Sequence, residues 1–519
     1  MSGPLILAID QGTQSVRAML FDLEGHLHCK SQVHIEPYFS DRPGQAEQHC
    51  DYFWENLCQA CQELWAQPGA DKSRVVAAAL TTQRASVVCL DAKLQPLRPA
   101  IIWLDQRRTE NYPKLPFWLD LPVRAIGQAE TLHQFQSKAE CNWLAADEPD
   151  IWAKTRHFVL LSGYLTLRLT NQLRDSVASQ VGYLPFDFKR QQWAAKGDMK
   201  WKMLALDRAR LPELVPAGET LGQISEQAAR DTGIPAGLPL VAAGADKACE
   251  VLGSGALTPD TACLSYGTTA TLNTCNSKYV EPIALVPPYP AAVPGRYNSE
   301  IIVQRGYWMV NWFKREFAQL EVQEAEKRGV PAETLFDELL RQSPPGAMGL
   351  TLQPFWNPGV RIPGPEAKGA IIGFGDVHTR AHLYRAIIEG IGYALREGLE
   401  RVEKRNRVKV TTLKVSGGGS QSDEIMQITA DLFGLPVERP DTFETSGLGA
   451  AINAAVGQGL HPDYPTALAA MSRTGDVFQP RPQQQKLYRQ LYREVYRPLY
   501  RRLAPLYRHI RRITGYPGR

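Results

Sequence analysis

The sequence predicts an α/β protein of two related lobes, and three observations carry that prediction. Apolar strand-like runs alternate with amphipathic helical patterns along most of the 519 residues, the order that sandwiches sheets between helices. Two hairpins of one design, LILAID-QGTQS-VRAMLFD near the start and TACLS-YGTT-ATLNTC about half the chain later, each carry a Gly-Thr pair in the turn, at Gly12-Thr13 and Gly267-Thr268. Between them VLGSGALTPD, with its Gly, Ser, Pro and Asp, marks a boundary around 252–260. The expected division is 1–255, 256–485 and a basic helical tail over 486–519.

In the first half, β-branched and aliphatic runs either side of Gly12 read as two antiparallel strands. DYFWENLCQACQELWAQ repeats apolar residues at helical spacing, and RVVAAALTT, SVVCLD, RPAIIWL and LPLVAAGA read as strands. In the second half, WMVNWFKREFAQL and HLYRAIIEGIGYALREGLERVEKR read as helices. TTLKVS reads as a strand entering Gly417-Gly418-Gly419, with helices DEIMQITADLFG and GLGAAINAAVGQG beyond.

Composition excludes several classes. With 44% hydrophobic and 22% charged residues, the chain has ordinary material for a core and is not a disordered polymer. No run of about 18 apolar residues exists, so no membrane span is expected. MSGPLILAID lacks a basic leader region and reads as a first strand. Nine cysteines, all before position 276, fit free thiols in a cytoplasmic protein. The net charge of +4 divides into +9 over Lys486–Arg519 and −5 over the rest, so the body is no nucleic-acid binder. The tail's Tyr488, Tyr492, Tyr496 and Tyr500 recur at helical spacing and predict a helix packed on the body, arginines outward.

Asp10-Gln11-Gly12-Thr13 stands where a strand meets a turn. Gly lets the backbone approach a phosphate, neighbouring N–H groups and Thr supply donors, and the Asp offers a carboxylate to Mg²⁺ through water. Each turn alone reads equally as an ordinary hairpin, but two of them fit a nucleotide cleft. No G-x-x-x-x-G-K-[ST] and no complete G-x-G-x-x-G occurs, which removes the P-loop and ordinary dinucleotide folds. Gly417-Gly418-Gly419 at a strand–helix junction permits close approach of a flat ligand. Asp246, at the end of LVAAGA, fits a general base for a hydroxyl and equally a helix cap. Cys58-x-x-Cys61 lies within a helix without partner ligands, and His378/His382 lack the intervening Glu of a zincin; neither is read as a metal site.

Taken together, AIDQGTQSVRAMLFD, TTQRASVVCLD, RPAIIWLDQRR, LVAAGADKACEVLGSG, LSYGTTATL and VSGGGSQSDEIMQITADLFG resemble the FGGY family of carbohydrate kinases, in order and spacing from Leu5 to about Tyr500. The resemblance implies two ribonuclease-H-like, actin-like ATPase lobes around a central cleft. Their implied activity is ATP-dependent phosphorylation of a hydroxyl on a small sugar or polyol, with ATP and Mg²⁺ as cofactors. A pentulose or tetritol is the favoured acceptor, ahead of glycerol or a sugar acid. The alternative is a catalytically silent nucleotide-binding regulator of the same superfamily. The resemblance implies Asp246 as general base and Asp10 as the Mg²⁺-side carboxylate. Gly12, Thr13, Gln14 and Arg17 fall at the first phosphate loop, Gly267 and Thr268 at the second, and Gly306, Gly418 and Ser422 at nucleotide positions. Gln83, Arg84, Trp103, Phe135 and Lys247 fall on the substrate side. Partners beyond the small molecule are not expected, neither nucleic acid nor membrane, and a homodimer is left open. Glycerol kinase has Gln-Arg-Glu where this chain has Gln83-Arg84-Ala85, a Tyr in place of Phe135, and relatives carry an amide where Lys247 stands. Glycerol specificity therefore does not follow; Lys247 either puts an ammonium in the pocket or points away and pairs with Glu250 or another acid.

Overall fold

The apolar runs either side of Gly12 form β1 (Leu5–Gln11) and β2 (Ser15–Phe21), an antiparallel pair in which Asp10 faces Arg17. The computed structural model describes residues 3–125, 129–283, 286–357, 359 and 363–516. All seven residues of β1 are buried, which makes it a central strand rather than half of an isolated hairpin. β3 (Leu27–His34) extends β2 antiparallel. α1 (Cys50–Trp65) then crosses over, burying Phe53, Leu57 and Leu64, so that β4 (Val75–Thr82) can lie parallel to β1.

The stretch TRHFVLLSGYLTLRLT resolves into a short strand, His157–Leu160, and then α2 (Leu161–Thr170). β5 (Thr220–Gln223) and β6 (Pro239–Ala242) complete a six-stranded sheet in the order β5-β6-β4-β1-β2-β3. RPAIIWL contributes only Ala100–Ile101 as strand, in a small four-stranded side sheet with 47–48, 87–90 and 157–160. α3 (Asp246–Gly253) leaves the C-terminal side of β6.

The second half repeats the plan. β7 (Thr261–Tyr266) and β8 (Ala270–Asn276) form the second Gly-Thr hairpin, and β9 (Tyr297–Val303) extends it antiparallel. α4 (Trp308–Phe317) ends at Ala318, where a separate helix begins, so WMVNWFKREFAQL is broken rather than continuous. The 27-residue α5 (Arg380–Asn406) precedes β10 (Thr412–Ser416), which runs parallel to β7. α6 (Asp423–Phe433) leads to β11 (Val437–Pro440), parallel to β10. α7 (Thr445–Gly457) and the edge strand β12 (Thr474–Phe478) follow. Strands β9-β8-β7-β10-β11-β12 therefore match β3-β2-β1-β4-β6-β5 in order and in the direction of every pairing. The two Gly-Thr turns occupy corresponding corners of the two sheets.

α3 and α7 cross at the seam between the sheets, and glycines set their separation. A Cβ on Gly253 would lie 2.0 Å from the Thr445 carbonyl oxygen, and one on Gly449 would lie 1.9 Å from that of Cys249. Around this crossing Ile6, Ala8, Met19 and Phe21 share one apolar interior with Leu252, Leu448 and Ile452. Gly449→Ala forces the two backbones apart at this seam, and we expect a stability loss of about 3 kcal/mol, from overpacking that no rotamer can relieve. Urea denaturation midpoints of the two proteins check it.

The tail is helical from Pro482 to Thr514, with a π-helical turn at Leu491–Tyr496. Tyrosines four residues apart drift off one face of an α-helix; the wider turn keeps them aligned. Tyr488, Tyr492 and Tyr496 are buried and line up beside Tyr393 of α5, with the Tyr488 hydroxyl donating to Glu389 at 2.7 Å. Arg489, Arg493 and Arg497 are exposed. All nine cysteines are buried and unbridged. His382 serves the α5 N-terminus, its Nδ1 accepting from the Thr379 N–H at 3.2 Å. Among the described residues no helix is long and apolar enough to cross a membrane.

Candidate active site

The carboxyl ends of the central strands bring the sequence-predicted residues together, as open α/β sheets generally do. Asp10 closes β1. It is 5% exposed, accepts from Arg17 Nη1 through Oδ2 at 3.1 Å, and has no partner for Oδ1. Burial pushes its pKa up to about 6, against the pull of Arg17, with Asp246 and Glu444 adding to the rise. Arg17 also reaches Glu444 at 3.5 Å, so a residue of the α7 N-cap shares the cation that steadies Asp10.

Asp246 opens α3. It does not cap the helix: the N-cap is Ala245, whose side chain makes no capping bond. The Asp246 carboxylate accepts from the adjacent Lys247 N–H at 2.7 Å and lies 3.9 Å from Arg84 Nε. Burial raises its pKa, opposed by Arg84 and then Lys247. A carboxylate held this way is a competent proton acceptor rather than a fully neutralised ion-pair partner.

The first turn is closed by the Gly12 N–H to Ser15 carbonyl bond at 3.1 Å. Thr13 was expected among phosphate donors, but its hydroxyl is engaged within the first lobe. It donates to Gln83 Oε1 at 3.2 Å and accepts from Trp103 Nε1 at 3.0 Å. Gln83 Nε2 is buried without a partner. Gln14 is exposed, and its carbonyl accepts from the Ile35 N–H. Phe135 stacks edge-on to Tyr183, 5.3 Å between centroids; the neighbouring Gly182 faces Ala85, whose φ of 52° bends the chain after Arg84.

Lys247 takes the second of its two expected arrangements, paired with Glu250. Its ammonium donates to Glu250 Oε2 at 2.6 Å and to Ser265 Oγ at 2.7 Å, and Ser416 donates to the other Glu250 oxygen. Burial disfavours the ammonium, but Glu250 and Asp246 hold its pKa above the ordinary lysine value. The side chain ties α3 to β7 and β10 instead of offering a free cation. Its spacing from Glu250, one helical turn, was the signal in the sequence.

On the opposite side, the 267–269 turn is held from behind: Tyr307 and Trp308 N–H groups donate to the Gly267 and Thr268 carbonyls at 3.1 and 3.2 Å. This leaves Thr268 exposed. Gly306 is a packing glycine, since a Cβ there would lie 2.2 Å from the Ala270 nitrogen; it supports the turn from beneath. A Cβ on Gly417 would strike the Tyr266 backbone, and one on Gly419 would strike the Tyr307 ring and the Tyr266 side chain. Gly418 alone of the three has nothing within 4 Å and presents open backbone. Ser422 caps α6, accepting from the Ile425 N–H at 3.2 Å and donating to Asp337.

Two residues that motif reading missed complete the cleft. Glu300 of β9 grips Arg84 through both oxygens, at 2.9 and 3.1 Å, and Tyr289 places its ring 5.2 Å from that guanidinium. Neither lies in a motif; the partners are 216 positions apart.

The chain is similar to known proteins along most of its length. The model for the N-terminal domain of the FGGY family of carbohydrate kinases matches residues 5–253, and that for its C-terminal domain matches 262–457. The uncharacterized sugar kinase YgcE of Escherichia coli K12 is 31% identical over 492 residues, 94% of this chain and 92% of that protein. A xylulose kinase of Lactococcus lactis is 27% identical, covering 93% and 94%. Among solved structures, a xylulose kinase of Rhodospirillum rubrum superposes with a TM-score of 0.80 at 24% identity, over 97% of this chain and all of that one.

Proposed function

The chain belongs to the FGGY family of carbohydrate kinases, enzymes that phosphorylate a small sugar or polyol with ATP, and we propose that its acceptor is a pentulose or tetritol, with glycerol and sugar acids served less well. The observation that carries this reading is the pairing, at one seam, of the half-buried Asp246 with the Arg84–Gln83–Thr13–Trp103 cluster. Xylulose and autoinducer-2 kinases among the relatives support an acceptor of that size. The same reading assigns the sugar to 1–255, the nucleotide to 256–485, and a helical appendage to 486–519, in a cytoplasmic enzyme whose thiols stay reduced.

The residues fit a metal–nucleotide group: Asp10 has one buried carboxylate oxygen without a partner, and Thr268 and Gly418 present exposed turns at the facing sheet. Asp10 would hold Mg²⁺; Gly12, Gly267, Thr268 and Gly418 would hold the nucleotide. Bound ATP with Mg²⁺ supplies the phosphoryl group and the counter-charge it needs.

The chain's own part is positioning and proton transfer. Gln83 Nε2 and Trp103 orient the acceptor, with Thr13 fixing both. Asp246 accepts the hydroxyl proton on its carboxylate as the oxygen attacks phosphorus, and ADP leaves on the opposite side. Arg84, 3.9 Å away, favours the ionised form of Asp246 against the burial that raises its pKa, and closure of the lobes around both substrates would exclude competing water. Nothing supports the catalytically silent alternative, since Asp10, Asp246 and both Gly-Thr turns are in place.

A panel of D-xylulose, L-ribulose, erythritol, glycerol and D-gluconate, read by coupled ADP release, tests the acceptor class. We expect a four- or five-carbon acceptor to exceed glycerol at least tenfold in kcat/KM. Glycerol leading by tenfold would overturn that assignment.

A further inference from the structure

Glu300 stands on β9 opposite Asn273 of β8, in the C-terminal sheet, while Arg84 follows β4 of the N-terminal sheet. Their two parallel bonds, 2.9 and 3.1 Å, therefore span the cleft. The carboxylate side chain is 9% exposed and the guanidinium 17%, so the pair is shielded from bulk solvent and only weakly screened by salt. A guanidinium fork occupied by one carboxylate has lost its bidentate face for another. The same guanidinium also lies 3.9 Å from Asp246, so one positive charge serves two carboxylates. The other nearby cation, Lys247, is engaged by Glu250 and Ser265. Counted with Asp246 itself, these two cations and three carboxylates thus carry a net negative formal charge, and neither cation is available to a substrate carboxylate.

We propose that Glu300 is a specificity-determining residue: it neutralises Arg84 from the opposite lobe, so that the pocket takes an uncharged ketose or polyol and rejects a sugar acid. Glu300 also supplies, from the other lobe, the hydroxyl-accepting carboxylate that Ala85 does not provide. A sugar acid entering this pocket would bring a third carboxylate toward one guanidinium, in surroundings where like charges repel strongly. This inference rests on the kinase reading of the same site.

The test compares D-gluconate with D-xylulose on three full-length proteins: wild type, Glu300→Gln, and Glu300→Gln combined with Arg84→Gln. Glu300→Gln keeps the shape and removes the charge. It should raise the gluconate-to-xylulose ratio of kcat/KM at least tenfold, mainly through a lower KM for gluconate, and the added Arg84→Gln should abolish that gain. Glu300→Ala, which adds space as well, should shift the ratio in the same direction and serves if the amide variant folds poorly. Calorimetric titration of gluconate into the same proteins needs no turnover: Glu300→Gln should bind it at least tenfold more tightly than wild type. An unchanged ratio with unchanged gluconate affinity, or a wild-type enzyme that prefers gluconate, overturns the role of Glu300. Failure of wild type to phosphorylate any acceptor overturns the kinase reading instead, and the titration then still decides the charge argument.

Discussion

Asp246→Asn should lower kcat by about 10²–10⁴-fold while leaving the acceptor KM within a few-fold of wild type. The substitution keeps the shape of the side chain and removes only its capacity to take a proton. The Lys247 N–H can still donate to the amide oxygen where it now meets the carboxylate at 2.7 Å, so α3 should keep its start. The proton of the attacking hydroxyl then has no acceptor at this position. Because burial raises the Asp246 pKa, the acid limb of kcat/KM in the wild type should lie above the ordinary carboxylate range and be absent from the residual activity of the variant. Steady-state kinetics from pH 5 to 8 read both effects. A near-normal kcat in the variant would remove Asp246 from the base role.

Asp10→Asn should act in opposite directions on activity and stability. Its folded pKa is about 6, above the 3.8 of an unperturbed aspartate, so the ionised group costs stability above about pH 6, and that cost disappears as pH falls through 6 toward 4. Removing the charge should therefore stabilise the metal-free protein at pH 7 by roughly 2 kcal/mol, since one pKa unit corresponds to about 1.4 kcal/mol and some of the gain is offset by the weakened Arg17 pair. The same change should cut kcat/KM about 100-fold or more by removing the carboxylate proposed to hold Mg²⁺. Denaturant unfolding at pH 7 and pH 4.5, without magnesium, measures the first effect: the difference between variant and wild type should shrink at the lower pH. Destabilisation at both pH values would show that Arg17 pairing outweighs burial.

Local pattern carried much of this fold. The two hairpins are legible because alternating apolar runs flank a Gly-Thr turn, and α1, α5 and α6 because their apolar stripes repeat at helical spacing. Asp246 is only half legible: a carboxylate after a run of small residues at a strand end fits a general base and a helix cap alike, and only the fold shows that Ala245 is the N-cap. What sequence could not show is contact across the lobes. The Arg84–Glu300 pair joins residues 216 positions apart, and nothing in YNSEIIV distinguishes Glu300 from a solvent-facing strand residue. Thr13 looked like a phosphate donor because of its neighbours in the turn; only the fold brings Trp103 and Gln83 to its hydroxyl. The glycines divide for the same reason. Gly306, Gly417 and Gly419 are demanded by the close backbone and rings around Ala270, Tyr266 and Tyr307, while Gly418 is open, a distinction that composition does not record.

In the proposed reaction this cleft transfers a phosphoryl group from ATP to an acceptor hydroxyl, with Asp246 taking the proton. Its most direct measurement is the product balance of the purified enzyme with ATP, Mg²⁺ and the best acceptor of the panel, read by phosphorus NMR and mass spectrometry. One sugar phosphomonoester should form for each ADP, at a rate that depends on acceptor and collapses in Asp246→Asn. ADP appearing with inorganic phosphate at the same rate with or without acceptor would contradict it.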